Sequence, residues 1–226
     1  MALPRLGSSE SRAKFHMKKT ITIGITGASG ALLARHALRI LESDERVERV
    51  HLIVTEAGQR LLAQELGVAS QDAKQAPSLI AGTRTTKIEL LPNRDIGAAV
   101  ASGSYAIDGM AILPCSAGTL ASIANGTSED LIARAADVCL KERRTLVLCL
   151  RETPLNRVHL SNMLRAAEAG AVIMPVIPAF YFAPKTIDDL VEQYVCRVLA
   201  QLGLEQEQQY RWEGTPRARA AKPENQ

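Results

Sequence analysis

Five short stretches in this sequence of 226 residues place small, hydroxylic and charged side chains directly after an apolar run. They are Thr26-Gly27-Ala28-Ser29-Gly30, Thr55-Glu56, Pro114-Cys115-Ser116-Ala117-Gly118-Thr119, Arg151-Glu152-Thr153-Pro154, and a last one carrying Pro175, Pro178, Phe180 and Tyr181. In the first, Gly27 and Gly30 let the backbone approach a ligand, and a helix starting after them would offer N–H groups to an anion. A tight turn with packing glycines is the alternative reading. The spacing is neither G-x-G-x-x-G nor a Walker loop. Thr55, not an acid, follows the second run, so a dinucleotide ribose has no carboxylate to grip. Ser116 to Thr119 supplies hydroxyls and amides for a phosphate or a heterocycle edge, or simple capping by Ser116.

The basic residues divide in two. Arg151 directly follows an apolar run, where a guanidinium requires a partner, either a ligand phosphate or Glu152. Arg197, between Val195 and Val198, needs one too. With Tyr181 and Lys141 they could form a pocket for a second anionic substrate. Arg134 and Lys141 share one helical face, and with Arg143 and Arg144 the ordinary reading there is a solvated face that complements the helix dipole. Glu65, by its local sequence, reads as a surface glutamate.

Other chemistries are excluded. Cys115, Cys139, Cys149 and Cys196 form no C-x-x-C pair and lie in apolar runs, as buried reduced thiols do. His16, His36, His51 and His159 are scattered, and no structural metal is expected. A net charge of +3 is too small to argue for nucleic acid. No apolar stretch of about 18 residues exists to cross a membrane. Hydrophobic residues at 46% and charged residues at 23% exclude a disordered chain, and aromatics at 4% require an aliphatic core. Residues 1–18 are polar and basic without an apolar centre. They are expected to be a disordered extension rather than a secretory signal, which makes a cytoplasmic location the expectation.

The elements that must position these residues alternate. Strands are expected at Ile21–Thr26, Val47–Thr55, Lys87–Leu91, Gly109–Leu113, Thr145–Leu150 and Ala171–Met174. Helices are expected at Ala31–Glu42, Glu56–Leu66, Arg94–Ser102, Ala117–Ala124, Glu129–Glu142, Asn156–Ala169 and Thr186–Leu202, with a loop and a short helical piece over Gly67–Thr86. The strands are continuous apolar runs, which is the pattern of parallel strands covered on both faces. The fold class is therefore a single doubly wound α/β domain over residues 19–202, of Rossmann or flavodoxin type. A polar tail over 203–226 is expected to pack on a neighbour. In such a sheet ligands bind outside the carboxyl ends of the strands, where the five stretches fall together.

The stretches ITIGITGASGA (21–31), ILPCSAGTLASIANG (112–126) and LIARAADVCLKERRTLVLCLRETPLNRVHLSNMLRAAEAGAVIMPVIPAFYFAPKTIDDLV (131–191), with Arg211-Trp212, carry a resemblance. The chain resembles the UbiX-type flavin prenyltransferases, within the homo-oligomeric flavin-containing cysteine decarboxylase-like proteins. The resemblance implies a metal-independent enzyme that joins a dimethylallyl group, from dimethylallyl monophosphate, to N5 and a neighbouring ring carbon of reduced FMN. The prenylated FMN would pass to a UbiD-type decarboxylase, in ubiquinone synthesis or aromatic-acid decarboxylation. It places flavin contacts at Ala28, Ser29, Gly30, Thr55, Ser116, Ala117, Gly118, Thr119, Arg134 and Arg151. Prenyl-phosphate contacts fall on Tyr181, Arg197, Arg151 and Lys141, with Lys141 and Glu152 coming from a neighbouring subunit. Ser29 and Glu65 become a proton-moving pair, and Trp212 an aromatic over the prenyl site on a closing tail. The family also implies a homododecamer. An FMN-dependent cysteine decarboxylase of the same fold group, or a non-catalytic FMN carrier, is the alternative; the former requires a histidine that is absent between Ala57 and Gly109.

Overall fold

A computed structural model describes residues 18–69 and 74–211. Six strands form one parallel sheet: β1 (Lys19–Ile25), β2 (Val47–Val54), β3 (Ile88–Pro92), β4 (Gly109–Cys115), β5 (Thr145–Leu150) and β6 (Val172–Ile173). Their order is β3-β2-β1-β4-β5-β6. Among the described residues, seven α-helices surround it: α1 (Ala31–Ser43), α2 (Glu56–Leu66), α3 (Ala76–Ala81), α4 (Ala117–Ala124), α5 (Leu131–Lys141), α6 (Arg157–Glu168) and α7 (Ile187–Gln201). The doubly wound α/β expectation is met.

The apolar strands divide between two cores. Ile21, Ile23, Ile25, Leu52, Val54 and Cys149 pack under α1, α2, α3 and α7. Ile53, Met110, Ile112, Leu146 and Leu148 pack under α4, α5 and α6. The fills are mostly Ala, Val, Leu and Ile, as the scarcity of aromatics requires. Burial pushes the thiols of Cys139 and Cys149 up to about 12 and that of Cys196 to about 11. All four cysteines are free and buried, consistent with a packing role.

The direction of winding reverses at the β1–β4 boundary. The chain builds β2 and β3 on one side of β1, then returns to lay β4, β5 and β6 on the other. The loops leaving β1 and β4 therefore diverge and leave a crevice between them.

Two local expectations change. The span 94–102 is not an α-helix; a single 3-10 turn covers Ala99–Ala101. The Asp95 carboxylate accepts a hydrogen bond from Gly97 N at 3.1 Å, a local turn that competes with helix formation. Pro114 and Cys115 belong to β4 and are buried, not part of the loop after it. There the Pro114 carbonyl accepts from Thr26 N at 3.2 Å, and the Cys115 carbonyl from Arg151 N at 3.0 Å. Between Gly203 and Arg211 the segment after α7 runs along its own chain. Leu204 is fully buried, and Gln206 Nε2 donates to Asp44 at 3.1 Å.

Candidate active site at the sheet switch point

The first turn after β1 is shaped by two close approaches. A Cβ at Gly27 would stand 2.5 Å from the Ala57 Cβ at the start of α2. Gly30, at φ +129°, turns the chain into α1 in a conformation that side chains resist. As the N-cap of α1, Gly30 brings no side chain to satisfy the helix's first N–H groups. Glu65 does so instead. From the last turn of α2 its Oε2 accepts from Gly30 N at 3.0 Å and Ala31 N at 2.8 Å. The anion place at this N-terminus is thus filled from within the chain, which corrects the expectation that these N–H groups are open to a ligand phosphate.

Glu65 is held as an anion. Burial raises its pKa, but hydrogen bonds from the Ser29 side chain, Ala31 N and Gly30 N, with the Arg151 charge, outweigh burial and leave it below the ordinary value. Arg151 Nε donates to the Ser29 carbonyl at 3.3 Å. The partner of Arg151 is therefore the Glu65–Ser29 pair rather than Glu152, whose carboxylate accepts from Thr153 N at 3.0 Å. Sequence reading by local pattern missed Glu65 because its contacts lie 34 and 35 positions away.

The opposite wall is the start of α4. Ser116 caps it, accepting from Thr119 N at 3.2 Å and sharing a 3.0 Å hydroxyl contact with Thr119. The N–H groups of a helix's first turn have no partner within the helix, so this N-terminus suits a phosphate. A Cβ at Gly118 would meet only Ser116 Oγ at 4.0 Å, so a ligand can come close there. Thr55 caps α2, its hydroxyl accepting from Gly58 N at 3.0 Å. Gly27, Thr55, Ala57, Ser116, Gly118 and Thr119, with Ser122, Asp130 and Ala133, enclose a cleft of about 320 Å³. Thr26 braces its two walls. Its buried hydroxyl donates to Pro114 O at 2.8 Å and accepts from Ser116 N at 2.8 Å. A hydroxyl at the foot of an apolar strand was the available signal for it. Ala28 is buried beside this turn, while Ser29 is exposed.

The remaining predicted residues lie elsewhere. Arg134 points from α5 to the Ala101 carbonyl at 3.1 Å and to Asp137 at 2.7 Å, so both of these contacts lie outside the cleft. Lys141 pairs with Glu142 at the far end of α5, about 15 Å along the helix from the cleft end. Tyr181 packs edge-on against Phe182 and tilted against Tyr210. Arg197 is exposed on α7. Trp212 lies outside the described residues.

A cleft between two diverging loops, with the N-terminus of α4 at one wall and the Gly27 turn that leads to Ser29 at the other, fits a flavin phosphate and a reactive ring. Comparison with known proteins agrees. A family model described as Flavoprotein matches residues 9–199. The flavin prenyltransferase UbiX of Halalkalibacterium halodurans is 44% identical over 196 residues, covering 86% of this chain and 94% of that protein. This chain belongs to the UbiX flavin prenyltransferase family. Among solved UbiX structures, AnUbiX (PadA1) in complex with FMN and dimethylallyl pyrophosphate is 39% identical, with a TM-score of 0.76, over 88% of this chain and 99% of that one. A dodecameric FMN-dependent UbiX-like decarboxylase from Escherichia coli O157:H7 is 38% identical, with a TM-score of 0.77, over 86% of this chain and 100% of that one. The UbiX fold thus accounts for the sheet, its switch point and the flavoprotein class. Among the described residues, no helix is long and apolar enough to cross a membrane.

Proposed function

We propose that this protein is a flavin prenyltransferase that joins the dimethylallyl group of dimethylallyl monophosphate to reduced FMN. The observation that carries the reading is the meeting, at one edge of the sheet, of the Ser29–Glu65–Arg151 cluster with the cleft lined by Gly27, Thr55, Ser116, Gly118 and Thr119. Ser116, Ala117, Gly118 and Thr119 would hold the flavin phosphate, with Ala28, Ser29, Gly30 and Thr55 along the flavin. Reduced FMN held by these residues would supply the nucleophile for the allylic carbon, with phosphate as the leaving group.

Glu65, ionised at neutral pH, takes up a proton relayed through the Ser29 hydroxyl. Arg151 steadies that carboxylate and the loop beneath it. Tyr181 and Arg197 bind the departing phosphate and stabilise its charge. Lys141 lies far from the cleft of its own chain and serves the site of a neighbouring copy, as does Glu152. Arg134, tied to Ala101 and Asp137, acts on the flavin only if it leaves those partners. Trp212 supplies an aromatic face to the allylic centre.

We further infer a homo-oligomer, a dodecamer by family likeness. Support comes from large exposed apolar side chains: Val158, Leu160 and Leu164 on α6, and Ile177 and Phe180 after β6. Part of the segment 203–226 would complete that contact. The product goes to a UbiD-type decarboxylase, in the cytoplasm.

The test is the mass of the flavin released after anaerobic incubation with reduced FMN and dimethylallyl monophosphate. A gain of one dimethylallyl unit is expected. Bound but unaltered FMN would instead favour a carrier.

A further inference from the structure

One polar side chain on α7 has no part in the reading above. Gln193 is 5% exposed, on a helix whose other buried residues, Val191, Tyr194, Val195, Cys196, Val198 and Leu199, are mostly apolar. A buried amide without partners is costly, so its contacts say what it is for. Both ends of the amide go to one residue. Gln193 Oε1 accepts from Tyr210 N at 2.9 Å, and Gln193 Nε2 donates to Tyr210 O at 3.3 Å. The side chain thus mimics a neighbouring peptide and clasps the C-terminal segment at a single residue.

What the clasp fixes is a ring cluster. The Tyr210 ring lies 5.4 Å from that of Tyr181 and 6.0 Å from that of Phe182, and those two are 6.1 Å apart. In a chain with only 4% aromatics, this concentration at one point is not explained by general core filling. Arg197 lies one helical turn beyond Gln193 on the same face of α7. The clasp therefore joins the two residues assigned to the prenyl phosphate, Arg197 directly along the helix and Tyr181 through the Tyr210 ring.

We propose that Gln193 is a positioning residue for phosphate-donor binding: by clasping the Tyr210 backbone it holds the Tyr181 ring in register with Arg197. This rests on the prenyl-transfer reading of the site. The Gln193 hydrogen bonds go to Tyr210, which is not a residue of the flavin cleft, so its effect is expected on the second substrate.

The experiment uses the full chain loaded with FMN. Gln193→Met removes both hydrogen bonds at similar volume, and Tyr210→Ala keeps the backbone clasp but removes the ring. Each is expected to raise KM for dimethylallyl monophosphate about tenfold, with FMN Kd changed by less than about twofold. The double variant should be no worse than the weaker single one, because the two changes break one linkage. Tyr210→Phe, which restores ring and backbone, should recover most of the loss seen in Tyr210→Ala. A merely structural role would lower Tm in Gln193→Met and leave KM unmoved, and that result overturns the proposal. An inert wild type sinks the prenyl-transfer reading and the positioning role together. An active wild type with an unchanged KM in both single variants sinks the positioning role alone.

Discussion

The Glu65 carboxylate accepts from two backbone N–H groups of the α1 start and stands beside the Ser29 hydroxyl, so its loss acts on both catalysis and folding. Glu65→Gln should lower the rate of prenylated-flavin formation about 10²- to 10⁴-fold, the usual range for an acid–base group, read by single-turnover mass analysis. It should also destabilise the fold at neutral pH. The folded pKa lies below the ordinary 4.5, so the native state favours the anion. That contribution is complete above the unfolded pKa and fades as pH falls through the folded one. The gap in urea midpoint between wild type and Glu65→Gln should therefore narrow from pH 7 towards acid. A gap unchanged with pH would mean that the anion is not what holds the α1 terminus.

At the scale of elements, two braces fasten segments far apart in sequence, the first of them at the cleft. Thr26 ties the β1 exit to the β4 exit through a hydroxyl that both donates and accepts. Thr26→Val keeps the volume but leaves Ser116 N and Pro114 O without that hydroxyl, so stability should fall by about 1–3 kcal/mol, and FMN should bind about tenfold more weakly in a fluorescence titration. Asp44, past the end of α1, is the second. The Arg46 side chain hydrogen-bonded to it holds its carboxyl down at about 2, and Gln206 donates to it as well. Asp44 thereby fastens the α1–β2 turn to the segment after α7. Asp44→Asn should cost about 1 kcal/mol at neutral pH. The difference should persist above the unfolded carboxylate pKa and vanish as pH falls through about 2. Both stability changes are read by urea titration, that of Asp44→Asn at two pH values.

For the whole molecule, the separation of Lys141 from the cleft within one chain makes a prediction about assembly. If sites are completed between copies, Lys141→Ala and Arg197→Ala are each inactive alone but complement each other. Co-assembled in equal amounts from the dissociated state, they should recover roughly a quarter of the wild-type rate, the fraction of sites receiving both intact residues. No recovery would place both residues in one chain's site or in none. The exposed leucines of α6 supply a matching change. Leu160→Glu with Leu164→Glu should shift the assembly to smaller species on size exclusion, with FMN still bound. A tail truncation is a poor probe of the same question, because Leu204 is fully buried in the core and its removal would unsettle the fold itself.

The residue types and local patterns already determined the sheet class, the strand exits as the ligand edge, and the glycine turn at Gly27 and Gly30. These follow from short-range physics: continuous apolar runs must be covered on both faces, and helix and strand periods are read within a few residues. The bounds of α2, α4 and β5 are local for the same reason, each closed by a capping residue or an adjacent turn. The 94–102 span failed as a helix because one side chain, Asp95, outbid the backbone period. What local pattern could not supply were partnerships between residues far apart in sequence. Glu65 looked like any surface glutamate until the packing of α2 on α1 brought it to the Gly30 turn. For Arg151 the local sequence offers a ligand phosphate or the adjacent Glu152, yet within the chain it lies on Ser29 across the switch point. Gln193 gave no sign at all before the chain folded back to set Tyr210 against it. Charge and hydrogen-bond partners are chosen by proximity in space, and only the tertiary structure decides that proximity.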